Sequence, residues 1–348
     1  MSLSRRSVLK TGSFAAAAIA TGGFGLAAAQ DATPAVEQIG GSLVVYSGRN
    51  EGLVGPLLDE MQAVTGIDLK VRYAGTAELA AIILEEGDRS PADVFFGQDV
   101  GALGALAKAG ALAPLPTAII DAVDPRFRST DGLWVGTSAR ARVLIYNTDT
   151  LVEADLPASV EALTDSTWSG KIGWAPTNAS FQSFVTAFRL LKGEDAAKAW
   201  LEAVIANDAV IFGGNAEVVL AVAAGEISVG LVNHYYKYEI EAEQGTELPI
   251  ANHYFAAGDV GSLVNAAGGG ILVNAANVAQ AEAFMSYLLS APAQTYFAEQ
   301  TFEYPLAAGV EPFAELVPLA DLETPDIDLN DLDDLAGTIE LLTDVGLI

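Results

Sequence analysis

The stretch LVVYSGRNEGLVGPLLDEMQAVTGIDLKVRYAG, residues 43–75, decides the fold. Leu43 to Tyr46 is an apolar run of strand length. From Glu51 to Val64 the residues Val54, Leu57, Leu58, Met61 and Val64 share one side of a helix, and Gly66 stops it. Ile67, Leu69, Val71 and Tyr73 then alternate, which is strand period. A strand, a helix and a second strand in this order imply parallel strands joined by a right-handed crossover.

The same alternation continues along the chain. Thr76 is placed to cap a helix that runs to Glu86 and ends at Gly87. Ala92 to Phe96 reads as a third strand, and Val100 to Ala109 as a helix closed by Gly110. A strand is expected around Val143 to Tyr146, with helices over Ser180–Leu191 and Asp195–Ala206. Asn215 caps a further helix through Ala224, and Ile227 to Val232 reads as a buried strand. Leu263-Val264 and Ile271 to Val273 look like strands, with Gly268-Gly269-Gly270 as a turn between them. Helices are expected over Asn277–Leu289, Pro292–Gln300 and the acidic Asp331–Leu347. The fold class is therefore α/β. In open sheets of this class, ligands sit beyond the carboxyl ends of the strands. That rule nominates Ser47 to Glu51, Gln98-Asp99 and Asn233-His234-Tyr235-Tyr236.

Composition removes several functions. The 348 residues carry 45 Asp+Glu against 17 Lys+Arg, a formal charge of −28. Such acidity opposes binding to nucleic acid or to an anionic membrane surface. Cysteine is absent, so there is no disulfide, thiolate metal site or iron–sulfur cluster. His234 and His253 are too few for a His-rich zinc site.

The first residues read as an export signal. Ser4-Arg5-Arg6-Ser7 precedes a soft apolar run from Phe14 to Ala29, which ends in small residues. The paired arginines suggest the twin-arginine route, with cleavage near Ala29. Removing residues 1–29 takes three basic residues and no acid, leaving a charge of −31. Residues 30–40 read as a linker. The expected location is the periplasm or cell-envelope space.

Catalytic patterns are missing. There is no Gly-x-Ser-x-Gly elbow, since Ser138 lies in Gly136-Thr137-Ser138-Ala139-Arg140. Neither a Walker A sequence nor Gly-x-Gly-x-x-Gly after a strand occurs. A triad would need His234 or His253 as its base. Pairs of carboxylates mean little among 45 acids. The chain is expected not to be an enzyme.

Tyr235-Tyr236 admits two readings. In an extended strand the two side chains would face opposite ways. A helix over Tyr235–Gln244 begins there and turns the backbone. Phenol, with a pKa of about 10, is protonated at neutral pH, but a hard trivalent cation displaces that proton. Such oxygen donors suit ferric iron. Alternatively, one tyrosine packs between domains and the other meets an organic ligand.

Several motifs resemble the periplasmic ferric-iron-binding proteins. They are Val45-Tyr46-Ser47-Gly48-Arg49-Asn50-Glu51, Gly87-Asp88-Arg89-Ser90-Pro91-Ala92-Asp93-Val94-Phe95-Phe96 and Ser138-Ala139-Arg140-Ala141-Arg142-Val143. Trp174-Ala175-Pro176-Thr177-Asn178, Asn233-His234-Tyr235-Tyr236 and Glu303-Tyr304-Pro305-Leu306 follow in order. The resemblance implies a two-lobed type II solute-binding fold, each lobe a mixed, mainly parallel sheet flanked by helices. Residues 41–140 plus 262–313 would form the N-terminal lobe, and 141–261 plus 314–348 the other. The implied role is delivery of ferric iron to an ABC importer permease by a monomer whose cleft closes on its cargo.

The resemblance implies Tyr235 and Tyr236 as metal ligands. Where many members carry a histidine this chain has Asn50, and where they carry a glutamate it has Gln98. Glu51 and Asp99, each one position on, are the candidates to supply a carboxylate. Relatives with a third cleft tyrosine have no match here, because Ala139 and Ala141 stand in that neighbourhood. A synergistic carbonate or phosphate would supply further oxygens, held by Ser138, Asn215 and Asn233 and approached by Arg49, Arg140 and Arg142. The alternatives are a binding protein for a small anion or organic solute such as a phosphonate, and a secreted hydrolase.

Overall fold

A computed structural model describes residues 38–348. The export signal and nearly all of the linker lie outside these residues. Ten strands and eleven α-helices occur among them. β1 (Ser42–Ser47), α1 (Glu51–Thr65), β2 (Asp68–Tyr73), α2 (Thr76–Glu86), β3 (Val94–Gly97) and α3 (Val100–Lys108) come first. A short α4 (Thr117–Ile120) leads to the long β4 (Val135–Asn147). Then come β5 (Ile172–Trp174), α5 (Ala179–Lys192), α6 (Glu194–Ala206), β6 (Val210–Ile211), α7 (Asn215–Ala223) and β7 (Val229–Asn233). α8 (Tyr235–Gln244), β8 (Ile250–His253), β9 (Val264–Ile271), α9 (Val278–Leu288), α10 (Ala291–Glu299), β10 (Tyr304–Pro305) and α11 (Leu335–Asp344) complete the order.

The first crossover forms for the reasons its sequence gives. The Asn50 side chain accepts from the Gly52 N–H and caps α1, which buries Leu53, Val54, Leu57, Leu58 and Met61. Gly66, at φ 71°, ends the helix in the left-handed region, where its N–H reaches the Gln62 carbonyl. β1 then pairs in parallel with both β2 and β3. The strands run in the order β2-β1-β3-β9-β4-β7-β5-β6, with β8 and β10 also paired to β4. Pairing is parallel among β1, β2 and β3 and among β5, β6 and β7, and antiparallel around β4 and β9.

β4 organises the molecule. Val135–Ala141 pairs with β9, whereas Arg142–Tyr146 pairs with β7. All thirteen of its residues are buried, so the alternation that marks a half-buried strand is absent. Only its apolar end, around Val143–Tyr146, was recognisable. A separate small core, containing Val143, Ile145, Val218, Val222 and Val232, lies between the second half of β4, β7 and α7.

Three expectations are corrected. Asn215 does not cap α7, since Gly214 holds that position and Asn215 is the helix's first residue. Gly268-Gly269-Gly270 is no turn but lies inside β9. A Cβ on Gly268 would fall 2.5 Å from the Val135 carbonyl oxygen, and one on Gly269 would fall 2.8 Å from the Met285 sulfur. The glycines therefore permit close packing within the sheet. Thr76 does not cap α2, since Gly75 holds that position, and its hydroxyl donates to the Gly48 carbonyl. No helix among the described residues is long and apolar enough to cross a membrane.

Candidate functional site

The three nominated strand ends converge. β7 ends at Asn233, and His234 leads straight into α8, so Tyr235 and Tyr236 open a helix. Their rings stack with centroids 4.3 Å apart. The Gln98 amide, just past β3, donates to the Tyr235 hydroxyl at 3.2 Å. Asn215 is buried, its amide nitrogen donating to the Ser180 hydroxyl at 3.5 Å while its oxygen lacks a partner. Burial holds both phenols neutral, raising Tyr235 well above its ordinary pKa and also raising Tyr236.

Behind the tyrosines lies a buried cationic face. Ser138, Arg140 and Arg142 alternate along β4 and so share one side of it. Asn233 is the register partner of Arg142. Arg142 lies over Phe181 and Phe184, 5.2 and 4.8 Å from their ring centroids, and burial lowers its pKa to about 9. Arg49 donates to Ser138 at 3.1 Å and to Glu303 at 2.5 Å. The Nε of Arg49, Nε and Nη1 of both Arg140 and Arg142, and Nδ2 of Asn233 are buried without a protein partner. Buried donors of this kind call for an acceptor. This cluster, with Asn215 near Tyr236, is suited to an oxyanion.

The two carboxylates named from sequence are placed elsewhere. Asp99 caps α3 through Gly101. It also accepts from Arg140 at 3.2 Å, from Asn265 at 2.7 Å and from Ser183. Both of its oxygens are thus taken by the protein. Burial still raises its pKa against the lowering effect of Arg140 and these hydrogen bonds. Glu51 is exposed on the first turn of α1, and its charge raises Tyr73 rather than facing the tyrosine pair. Asn50 does line the tyrosine cavity, although its oxygen is engaged in capping at 2.8 Å.

His234 is ruled out as a catalytic base. It is fully buried, its Nδ1 accepts from the Ala141 N–H, and its Nε2 lies 3.0 Å from the Phe302 carbonyl. Burial lowers its pKa to about 4. Among the described residues no group of three or more His, Asp or Glu side chains could hold a metal.

Sequence reasoning missed Glu239. It lies on α8 beside Tyr235 and Tyr236 and lines the same cavity of about 210 Å³. Its spacing of three and four from the tyrosines was the available signal. Glu303, quoted only as part of a motif, is fully buried and is the counter-ion of Arg49.

A family described as bacterial extracellular solute-binding protein matches residues 89–326. The chain is similar to the Fe(3+)-binding periplasmic protein of Serratia marcescens, 35% identical over 308 residues, covering 88% of this chain and 90% of that one. It resembles the iron-bound HitA of Pseudomonas aeruginosa at a TM-score of 0.84 and 36% identity, over 88% of this chain and 99% of that one. A Trichodesmium protein (IdiA, FutA), solved with iron and citrate ligands, matches at 0.73 and 29% identity, over 88% and 100%. The solved relatives carry the type II periplasmic-binding fold. The chain belongs to the bacterial extracellular solute-binding proteins, within the periplasmic ferric-iron-binding family.

Proposed function

We propose that this protein captures ferric iron outside the cytoplasm, together with an oxyanion, and delivers it to an ABC importer permease. It acts as a monomeric carrier and catalyses no reaction. The observation that carries this reading is the stacked pair Tyr235–Tyr236 at the start of α8, next to buried donors without protein partners. Two phenolates are hard anionic donors for a trivalent cation. An oxyanion bound by Arg140, Arg142, Asn233, Ser138 and Asn215 would add further oxygen donors, its own charge balanced by the guanidinium groups. The change of β4 partners at Ala141–Arg142 supports a division into lobes 41–140 plus 262–313 and 141–261 plus 314–348.

The test is colour. Metal-free protein given ferric salt with carbonate or phosphate develops a visible tyrosinate-to-iron absorption. Tyr235→Phe/Tyr236→Phe loses it while keeping the metal-free melting temperature. Tight ferric binding by that double variant, or a colourless wild type, defeats the reading.

The unpartnered guanidinium N–H groups favour a second reading, in which a small anion such as a phosphonate is itself the cargo. Calorimetric titration with phosphate and a simple phosphonate in the absence of iron separates the two. Tight binding of either without metal favours this alternative.

A further inference from the structure

α8 carries its functional side chains in one stripe. Tyr235, Tyr236, Glu239 and Glu243 all line a single cavity, which Asn50 closes from the α1 side. Glu239 stands one turn beyond the tyrosines. Helical side chains lean toward the N-terminus, so its carboxylate lies over the turn that presents the two phenols.

The surroundings of Glu239 do not serve the fold. It is half-buried, and it feels the like charges of Glu243 and Glu303 and, less strongly, the opposite charge of Arg49. Among the described residues it has no ion pair and no hydrogen-bond partner, although Lys237 on the same helix pairs with Glu241 at 2.7 Å. A half-buried carboxylate without a protein partner, lining one cavity with two phenols, is free to take a cation.

The charge of the cargo supplies that use. Two phenolates leave one positive charge on a ferric ion. Asn50 and Gln98 add none, and Gln98 presents a donor to Tyr235. Asp99 and Glu51 point elsewhere. Resting on the ferric reading above, we propose that Glu239 is a third protein ligand of the iron, so that one helix supplies every anionic protein donor.

The test compares Glu239→Gln, Glu239→Asp and Glu243→Gln with the wild type. Ferric affinity is measured by citrate competition, and the position of the tyrosinate absorption is recorded. Melting of the metal-free proteins confirms that each variant is folded. A ligand role predicts that Glu239→Gln loses about 100-fold in affinity, the upper end of what even outer-shell partners cost. Its band moves to longer wavelength, because iron with one anionic donor fewer accepts charge from tyrosinate more easily. Glu239→Asp, with a shorter reach, also weakens binding, and Glu243→Gln stays within a few-fold with an unmoved band. Wild-type behaviour of Glu239→Gln overturns the proposal. So do equal losses in Glu239→Gln and Glu243→Gln with unmoved bands, since those report only the field of two charges. In either case the coloured wild type leaves the ferric reading standing, whereas a colourless wild type removes both.

Discussion

The side-chain amide of Gln98 donates to the hydroxyl of Tyr235 across 3.2 Å, linking the end of β3 to the first residue of α8. An N–H aimed at a phenol oxygen favours the phenolate once a metal displaces its proton. Gln98→Met removes that donor and keeps the bulk. Ferric affinity is expected to fall about 10-fold, as for loss of an outer-shell partner. Citrate competition measures it, and metal-free melting should be unchanged.

Arg49 and Glu303 form a fully buried ion pair at 2.5 Å, with Thr301 also donating to the carboxylate. Breaking it from one side leaves a charge in the interior. Arg49→Met is expected to cost about 3–5 kcal/mol in urea unfolding. Arg49→Met/Glu303→Leu should recover most of that loss, because no unpaired ion then remains.

Acid stability depends on two groups with opposite signs. The His234 pKa is lowered from 6.5 to about 4 in the folded chain. Below pH 6.5 the unfolded chain takes up a proton that the folded one refuses, so this contribution is lost as pH falls, in total about 3 kcal/mol. The Glu239 pKa is instead raised from 4.5 to about 7, by burial first and then by Glu243. Its contribution is present below pH 4.5 and is lost as pH rises through 7. The two slopes oppose each other between pH 4.5 and 6.5. Melting of metal-free Glu239→Gln across this range should show a steeper acid loss than wild type. His234→Gln should instead lose stability as pH rises.

Gly268→Ala would push a methyl to 2.5 Å from the Val135 carbonyl oxygen. A backbone atom cannot rotate away as a side chain can. The expected cost is about 1–3 kcal/mol, read as a lower urea midpoint with ferric binding retained.

The outer parts of the fold were legible, and the middle was not. Residues 43–75 announced strand, helix and strand because α1 and β2 each leave one face exposed and show their period, while β1 is a short apolar run. β4 and β9 are buried on both faces, so periodicity vanished, and three glycines inside β9 imitated a turn. The tyrosine pair was legible because its chemistry is rare. The role of Asp99 was not, because its partners Arg140, Ser183 and Asn265 lie 41, 84 and 166 residues along the chain. Glu239 was hidden among 45 acids, and only its place in one cavity with two phenols separates it from the rest.

β4 passes without a break through the point where its partners change, from β9 at Ala141 to β7 at Arg142. A strand shared in this way acts as a torsion bar: the elements on either side can turn about it but cannot draw apart along it. Arg140 and Arg142 sit on that axis, and Tyr235 lies beside it, because Asn233 pairs with Arg142 and the His234 N–H donates to the Ala141 carbonyl, whereas Gln98 follows β3 on the other side of the partner change. Opening would then part the Gln98–Tyr235 contact before it disturbed an anion seated on β4.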